Sequence, residues 1–233
     1  MSELPNSVEL LGYYGSDLTI ALSAWSSTSR ELTQDKLDRV PALINQLWNA
    51  EPNKHKSPFE KGVVHFLINC DLASHIHLLK HRLASINAES ARYKELKEDK
   101  YYLPQDWQGI KVSSGLDLHL DYLDLECDEE TEWLDIMKQY VNLGDLLYHK
   151  SLKDVTKAKN RKRAKESCRY FKTYANQIQA DVMFNMSSFN NFLQLRNEDH
   201  AQLEIHDIAR QMLELVKSIE GNPFEHTIKA WGY

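Results

Sequence analysis

Hydrophobic and polar positions along the chain change period several times, and each change marks an element. Residues 8–14 are apolar enough for a first strand, with Gly12 and Gly15 at its end, and residues 17–25 read as a short helix. Thr33 can cap a helix of four turns reaching Trp48, with Leu37, Val40, Ile44 and Leu47 on one face and Pro41 placed to bend it. Residues 51–57 contain no apolar side chain and form a loop. Ser57-Pro58-Phe59-Glu60 then carries a helix-start signal: a capping Ser, a Pro suited to the first turn and a Glu able to return a bond to the cap. Residues 63–70 are β-branched and apolar, with Val64, Phe66, Ile68 and Cys70 on one face, which predicts a buried strand.

Asp71 can cap a helix over residues 72–82, whose buried stripe is expected from Leu72, Ile76 and Leu79. Residues 85–96 lack such a stripe and read as a loop leading into a strand, and residues 97–114 as a polar loop. Residues 124–135 hold much of the excess acid and are expected in solvent. Helical spacing returns at 132–148, and a basic run at 157–165 is placed on a helix. Residues 177–186 are the last strand and 187–195 a short helix. Residues 201–219 are the clearest amphipathic helix, with Ile205, Ile208, Met212, Leu215 and Val216 inward. Asn222-Pro223-Phe224-Glu225 repeats the Pro-containing start and opens a final short helix. No repeat and no linker composition interrupts the chain, so residues 1–233 are expected to form one α+β domain.

Composition narrows the functional classes. The chain has 233 residues, 42% hydrophobic and 27% charged, with net charge −6. No run approaches the ~20 apolar residues of a membrane helix, and the acidic balance disfavours a surface that coats nucleic acid. The basic run Lys157, Lys159, Arg161, Lys162, Arg163, Lys165 has no interleaved aromatic residue and reads as a solvated face. Cys70, Cys127 and Cys168 are few, distant and odd in number, which argues against a disulfide framework or zinc ribbon. The N-terminal residues carry no basic-then-apolar leader, so the expected location is cytoplasmic.

The densest polar cluster is His75 to Arg82, followed by Ser85, Asn87, Glu89, Ser90 and Arg92. His77 and His81 share a helix face, as metal-binding pairs do, but no Glu follows the first His and no third ligand is evident. The same residues read equally as a half-buried helix face, or as an anion site in which Lys80, His81, Arg82 and Arg92 converge on phosphate. Asn185, Asn190, Asn191, Gln194 and Arg196 alternate with Phe and Leu, so some of these amides can face a pocket. Walker, GxGxxG and GxSxG patterns are absent from the sequence.

Lys80-His81-Arg82, seven residues, then Ser90 resembles the signature of the flavin-dependent thymidylate synthases, the ThyX family. Ser85, Asn87, Arg92 and Tyr93 fall in register with it. Further blocks follow in family order: His55-x-Ser57-Pro58-Phe59-Glu60, Asn191-Phe192-Leu193-x-Leu195-Arg196, and His200-Ala201-Gln202-x-Glu204-Ile205. The resemblance implies a single ThyX-like α+β domain with an antiparallel sheet packed with helices. It also implies reductive methylation of dUMP to dTMP, with methylenetetrahydrofolate as carbon donor, FAD as cofactor and NADPH as reductant. It implies a homotetramer with shared active sites, and neither nucleic acid, membrane nor metal.

Carried over position by position, Ser27, His55, Ser57, Glu60, Lys80, His81, Arg82, Asn87, Asn185 and Asn191 are the cofactor-binding set. His77, Glu89, Ser90, Arg92, Arg169 and Arg196 are the substrate-binding set, and Arg196, Ser90 and His55 are the catalytic assignments. The sequence departs from the pattern at Lys80 (usually Arg), Ala88 (usually Glu), His77 (usually Gln) and Ser187 (usually Arg). UMP or dCMP methylation or hydroxymethylation, or a non-catalytic flavin- or nucleotide-binding homologue, are the alternatives these changes leave open.

Overall fold

The computed structural model describes residues 2–29, 31–112 and 130–233. Cys127 and most of the acidic segment expected at 124–135 lie outside the described residues. The described chain gathers into two compact units, each assembled from separate stretches: residues 1–6, 69–76 and 88–179, and residues 7–68, 77–87 and 180–233.

Strands of the second unit belong to a four-stranded sheet. Its strands are β2 (Ser7–Tyr14), β3 (Val63–Asp71), β6 (Gln177–Asn185) and β4 (Ser85–Ala88), in the order β2-β3-β6-β4. The sheet is antiparallel, as expected. Period-2 burial is clean on β3 and β6, where Val64, Phe66, Ile68, Val182 and Phe184 are buried. Phe66, Phe184, Phe189 and Phe192 pack as adjoining ring pairs 5.3–5.9 Å apart.

Around the sheet lie α1 (Asp17–Trp25), α2 (Gln34–Asp38), α3 (Val40–Asn49), α7 (Met186–Arg196), α8 (Leu203–Lys217) and α9 (Glu225–Trp231). The helix expected over residues 33–48 is two helices. Thr33 caps the first by accepting from the Lys36 amide, as the sequence suggested. Pro41 has no N–H to continue the ladder, so the chain breaks at Arg39 and restarts with Pro in the first turn. The segment Ser57–Lys61 is a 3-10 turn, and Ser57 makes no capping bond. Helix α9 is capped from a distance: the Asp17 carboxylate accepts from the amides of His226 and Thr227 and from the Thr227 hydroxyl (2.6–3.0 Å).

The first unit holds β1 (Ser2–Glu3), which pairs in parallel with β5 (Lys100–Tyr101), and the 26-residue helix α5 (Trp133–Ala158) with α6 (Arg161–Cys168). Helix α5 extends ten residues beyond the expected end, and the basic run straddles the break before α6, where Asn160 caps by accepting from the Arg163 amide. Tyr148, Leu152, Ala164 and Cys168 form one apolar cluster there, and Tyr101, Leu103 and Val141 another. The enclosed side chain of Lys172 ties Asp145 (2.6 Å) to Asp99 (2.9 Å), giving this unit an ionic core as well.

Helix α4 (Leu72–Leu79) begins where expected, with the Ser74 amide donating to Asp71, but ends three residues early. Its buried face is also not the expected one. Ile76 and Leu79 are 41% and 52% exposed, whereas Ser74, His75 and Leu78 are buried.

Candidate active site

The end of α4 positions the first cluster. After Leu79 the chain turns through Lys80, His81 and Arg82, with the His81 amide bonded to the Leu78 carbonyl. Helix α7 comes beside it, started by Asn185, whose side chain accepts from the Ser188 amide at 2.8 Å. Between them lies a cavity of about 130 Å3 lined by Lys80, His81, Arg82, Ser188, Asn191 and Arg196, together with Leu83, Ala84 and Leu195. Five residues expected at the site, from two separate sequence blocks, thus meet here.

His81 is 8% exposed. Its Nε2 accepts the Nε–H of Arg196 at 3.2 Å, and its ring meets Phe192 edge-on at 4.9 Å. Burial, then the charge of Arg196 and the neighbouring His77, push its pKa down to about 4, so the ring is neutral at physiological pH. His77 is hydrogen-bonded from its own Nε2 to Gln202 Oε1 at 3.0 Å. Lys80 and Arg82 make no ion pair among the described residues, so two free cations and Arg196 face one small cavity. Such a set recognises an oligophosphate or another multiply charged anion. No cluster of His, Cys, Asp and Glu able to hold a metal occurs among the described residues.

A second cleft of about 490 Å3 in the same unit is lined by Ser23, Ser26, Ser27, Leu47, His55, Ser57, Pro58 and Lys61. Ser27, His55 and Ser57 therefore come together from opposite ends of a helical hairpin's worth of sequence. Ser27 Oγ donates to the Ala24 carbonyl at 3.0 Å. Glu60 is exposed and does not line this cleft. Asn87 is exposed on β4 and lines neither cavity.

The remaining expected residues belong to the first unit. Ser90 builds a turn, its hydroxyl accepting from the Arg92 amide and its carbonyl from the Tyr93 amide. Arg92 reaches Glu166 Oε1 at 3.5 Å, and Arg169 Nε donates to the Glu166 carbonyl at 3.1 Å, so one α6 residue gathers both arginines. Glu89 is engaged by Lys94 and by the Gln179 amide, and lines a cavity of about 470 Å3 with Tyr93, Lys100, Arg161 and Lys165. Reading the sequence missed Ser188, Lys61 and Glu166. Ser188 was signalled by its spacing of three from Asn185, the distance of a side-chain cap; Glu166, just after the basic run, carried no signal.

These features define an α+β fold with a small cation-lined cavity and a wider polar cleft, an arrangement suited to an anionic small molecule. Comparison with known proteins gives the family. The family model described as "Thymidylate synthase complementing protein" matches residues 9–220. A flavin-dependent thymidylate synthase of Pseudothermotoga lettingae is 32% identical over 212 residues, covering 91% of this chain and 85% of that protein. Another from Rickettsia bellii is 28% identical, covering 91% and 71%. A crystal structure of PolB, a UMP/dUMP methylase from Streptomyces cacaoi bound with 5-Br UMP, superposes with a TM-score of 0.75 at 22% identity, covering 99% of this chain and 96% of that one. The chain belongs to the flavin-dependent thymidylate synthase family.

Proposed function

We propose that the protein catalyses the FAD-dependent reductive methylation of dUMP to dTMP, taking carbon from methylenetetrahydrofolate and reducing equivalents from NADPH. The observation that carries this is the cavity where Lys80, His81, Arg82, Asn191 and Arg196 converge. Its donors fit the phosphates of a flavin dinucleotide: two cations without ion pairs among the described residues, a hydroxyl and an amide. Asn190, next to Asn191 in sequence on α7, does not line this cavity; it is 1% exposed, with neither side-chain polar atom hydrogen-bonded among the described residues. FAD supplies the hydride when bound.

The chain's residues then do four things. Lys80 and Arg82, with Asn191, neutralise and orient phosphate. Ser27, His55 and Ser57 line the wider cleft, which suits a flat ring system, and His55 also approaches the folate; Glu60, Asn87 and Asn185 also belong to the flavin-binding set. Ser90, Arg92 and Arg169, with His77 and Glu89, bind the nucleotide's phosphate and sugar. The Arg92–Glu166 pair is long and half-exposed, so phosphate can take over the guanidinium at little cost. Arg196 faces the pyrimidine and stabilises negative charge as it builds on the ring carbonyls and N3, which makes C5 nucleophilic. No protein nucleophile is needed, in keeping with Cys70 and Cys168 being buried; burial also pushes the Cys70 thiol far up, with the Asp71 charge adding to it.

The assembly is a homotetramer acting as one domain per chain, in the cytoplasm; no helix among the described residues is long and apolar enough to cross a membrane. Purified protein should be yellow, and NADPH should bleach the flavin band. Colourless protein that takes up no FAD on titration would overturn the proposal.

A further inference from the structure

The tie between His81 and Arg196 does more than line a cavity. We infer that His81 is the positioning residue for Arg196: its Nε2 holds the guanidinium Nε–H, so that only the two terminal nitrogens remain to meet the nucleotide. This rests on the reading that Arg196 faces the pyrimidine.

An arginine side chain has four rotatable bonds and a large rotamer entropy, so an unanchored guanidinium samples many placements. A preorganised donor must be held before charge develops. Three features make His81 the anchor. Its ring is fixed by packing, 8% exposed and edge-on to Phe192 at 4.9 Å. It offers an acceptor at 3.2 Å from Arg196 Nε. Its basicity is depressed by burial and by the charges of Arg196 and His77, so the nitrogen keeps its lone pair at working pH. The bond also fixes the tautomer: with Nε2 accepting, the ring proton sits on Nδ1.

The test compares His81→Phe, which keeps the ring's packing but removes the acceptor, with His81→Gln, whose amide oxygen can occupy the position of Nε2. Flavin content, kcat, KM for dUMP and dUMP binding by calorimetry are measured for both, alone and combined with Arg196→Ala. Phe should lower kcat by about 10- to 100-fold, the scale of a misplaced catalytic group, with flavin retained and KM moving less. Gln should recover most of that loss. In the Arg196→Ala background, Phe should weaken dUMP binding no further.

Nitrogen-15 spectra of labelled histidine add a readout independent of turnover. His81 should show a protonated Nδ1 and bare Nε2 in the native protein, and lose that signature in Arg196→Ala. This spectrum also decides the matter if His81→Phe does not fold. An unchanged His81 spectrum in Arg196→Ala, near-native kcat in His81→Phe, or Gln as impaired as Phe would each overturn the inference. Failure of the underlying reading looks different: Arg196→Ala would then form dTMP at the native rate.

Discussion

At the residue scale, charge and burial are set against each other in the first cavity. Arg196→Ala should reduce dTMP formation by about 10²–10³-fold, the loss expected for one preorganised donor, while FAD stays bound through Lys80, Arg82 and Asn191. Turnover and flavin absorbance measured together check this, and loss of the flavin would show that Arg196 belongs to its site instead. Lys80→Arg should be tolerated and should tighten binding by about 1 kcal/mol or less. A guanidinium can make two parallel bonds to phosphate, but Arg82 already supplies charge beside it. A titration with FAD measures the change.

His81 also makes a pH prediction. Its folded pKa, about 4, lies below the ordinary 6.5. The unfolded chain therefore binds the proton more readily, and His81's contribution to stability is intact above 6.5 and is lost as pH falls towards 4. The displacement corresponds to a loss of about 3 kcal/mol across that range. Urea midpoints of native protein and His81→Gln between pH 7 and pH 4 should converge with acid, since Gln does not titrate. Parallel curves would contradict the assignment.

At the element scale, two contacts carry unusual weight. A Cβ added at Gly144 of α5 would meet the Phe171 carbonyl oxygen at 2.5 Å, where backbone cannot yield cheaply. Gly144→Ala should cost about 1–3 kcal/mol, the range for overpacking, and should disturb the turn that carries Arg169; denaturant melts and dUMP affinity would register both. Asp17 caps α9 from 209 residues away. Its loss in Asp17→Ala should loosen the Trp231 contacts with Trp48 and Phe189 and cost about 1–2 kcal/mol, visible in tryptophan fluorescence.

These elements also show what the sequence could and could not tell. Helix α1 was legible to the residue, because Ser16 caps it locally. The α4 stripe was misread because its buried face includes Ser74 and His75, which carry no hydrophobic signal. The cap of α9 was invisible because its partner lies at the other end of the chain. The site divides the same way. Lys80, His81, Arg82 and Arg196 were found because they stand in contiguous motif blocks, whereas the bond between His81 and Arg196 spans 115 positions. Glu89 was expected to meet substrate, and in the fold it is engaged by Lys94 and the Gln179 amide.

At the scale of the whole molecule, each compact unit carries part of the proposed set of site residues, and the proposed assembly shares its sites between subunits. Inactive Arg92→Ala and inactive His55→Ala proteins, dissociated and reassembled together, should therefore regain part of the native activity. An active monomer by light scattering would contradict shared sites. The most direct test of the account is product formation. Purified protein with FAD, NADPH and methylenetetrahydrofolate should convert dUMP to dTMP, with UMP and dCMP assayed beside it. Accumulation of dTMP that depends on all three additions is the predicted result; a flavin-loaded protein that leaves dUMP unchanged, or methylates only UMP or dCMP, would contradict the account.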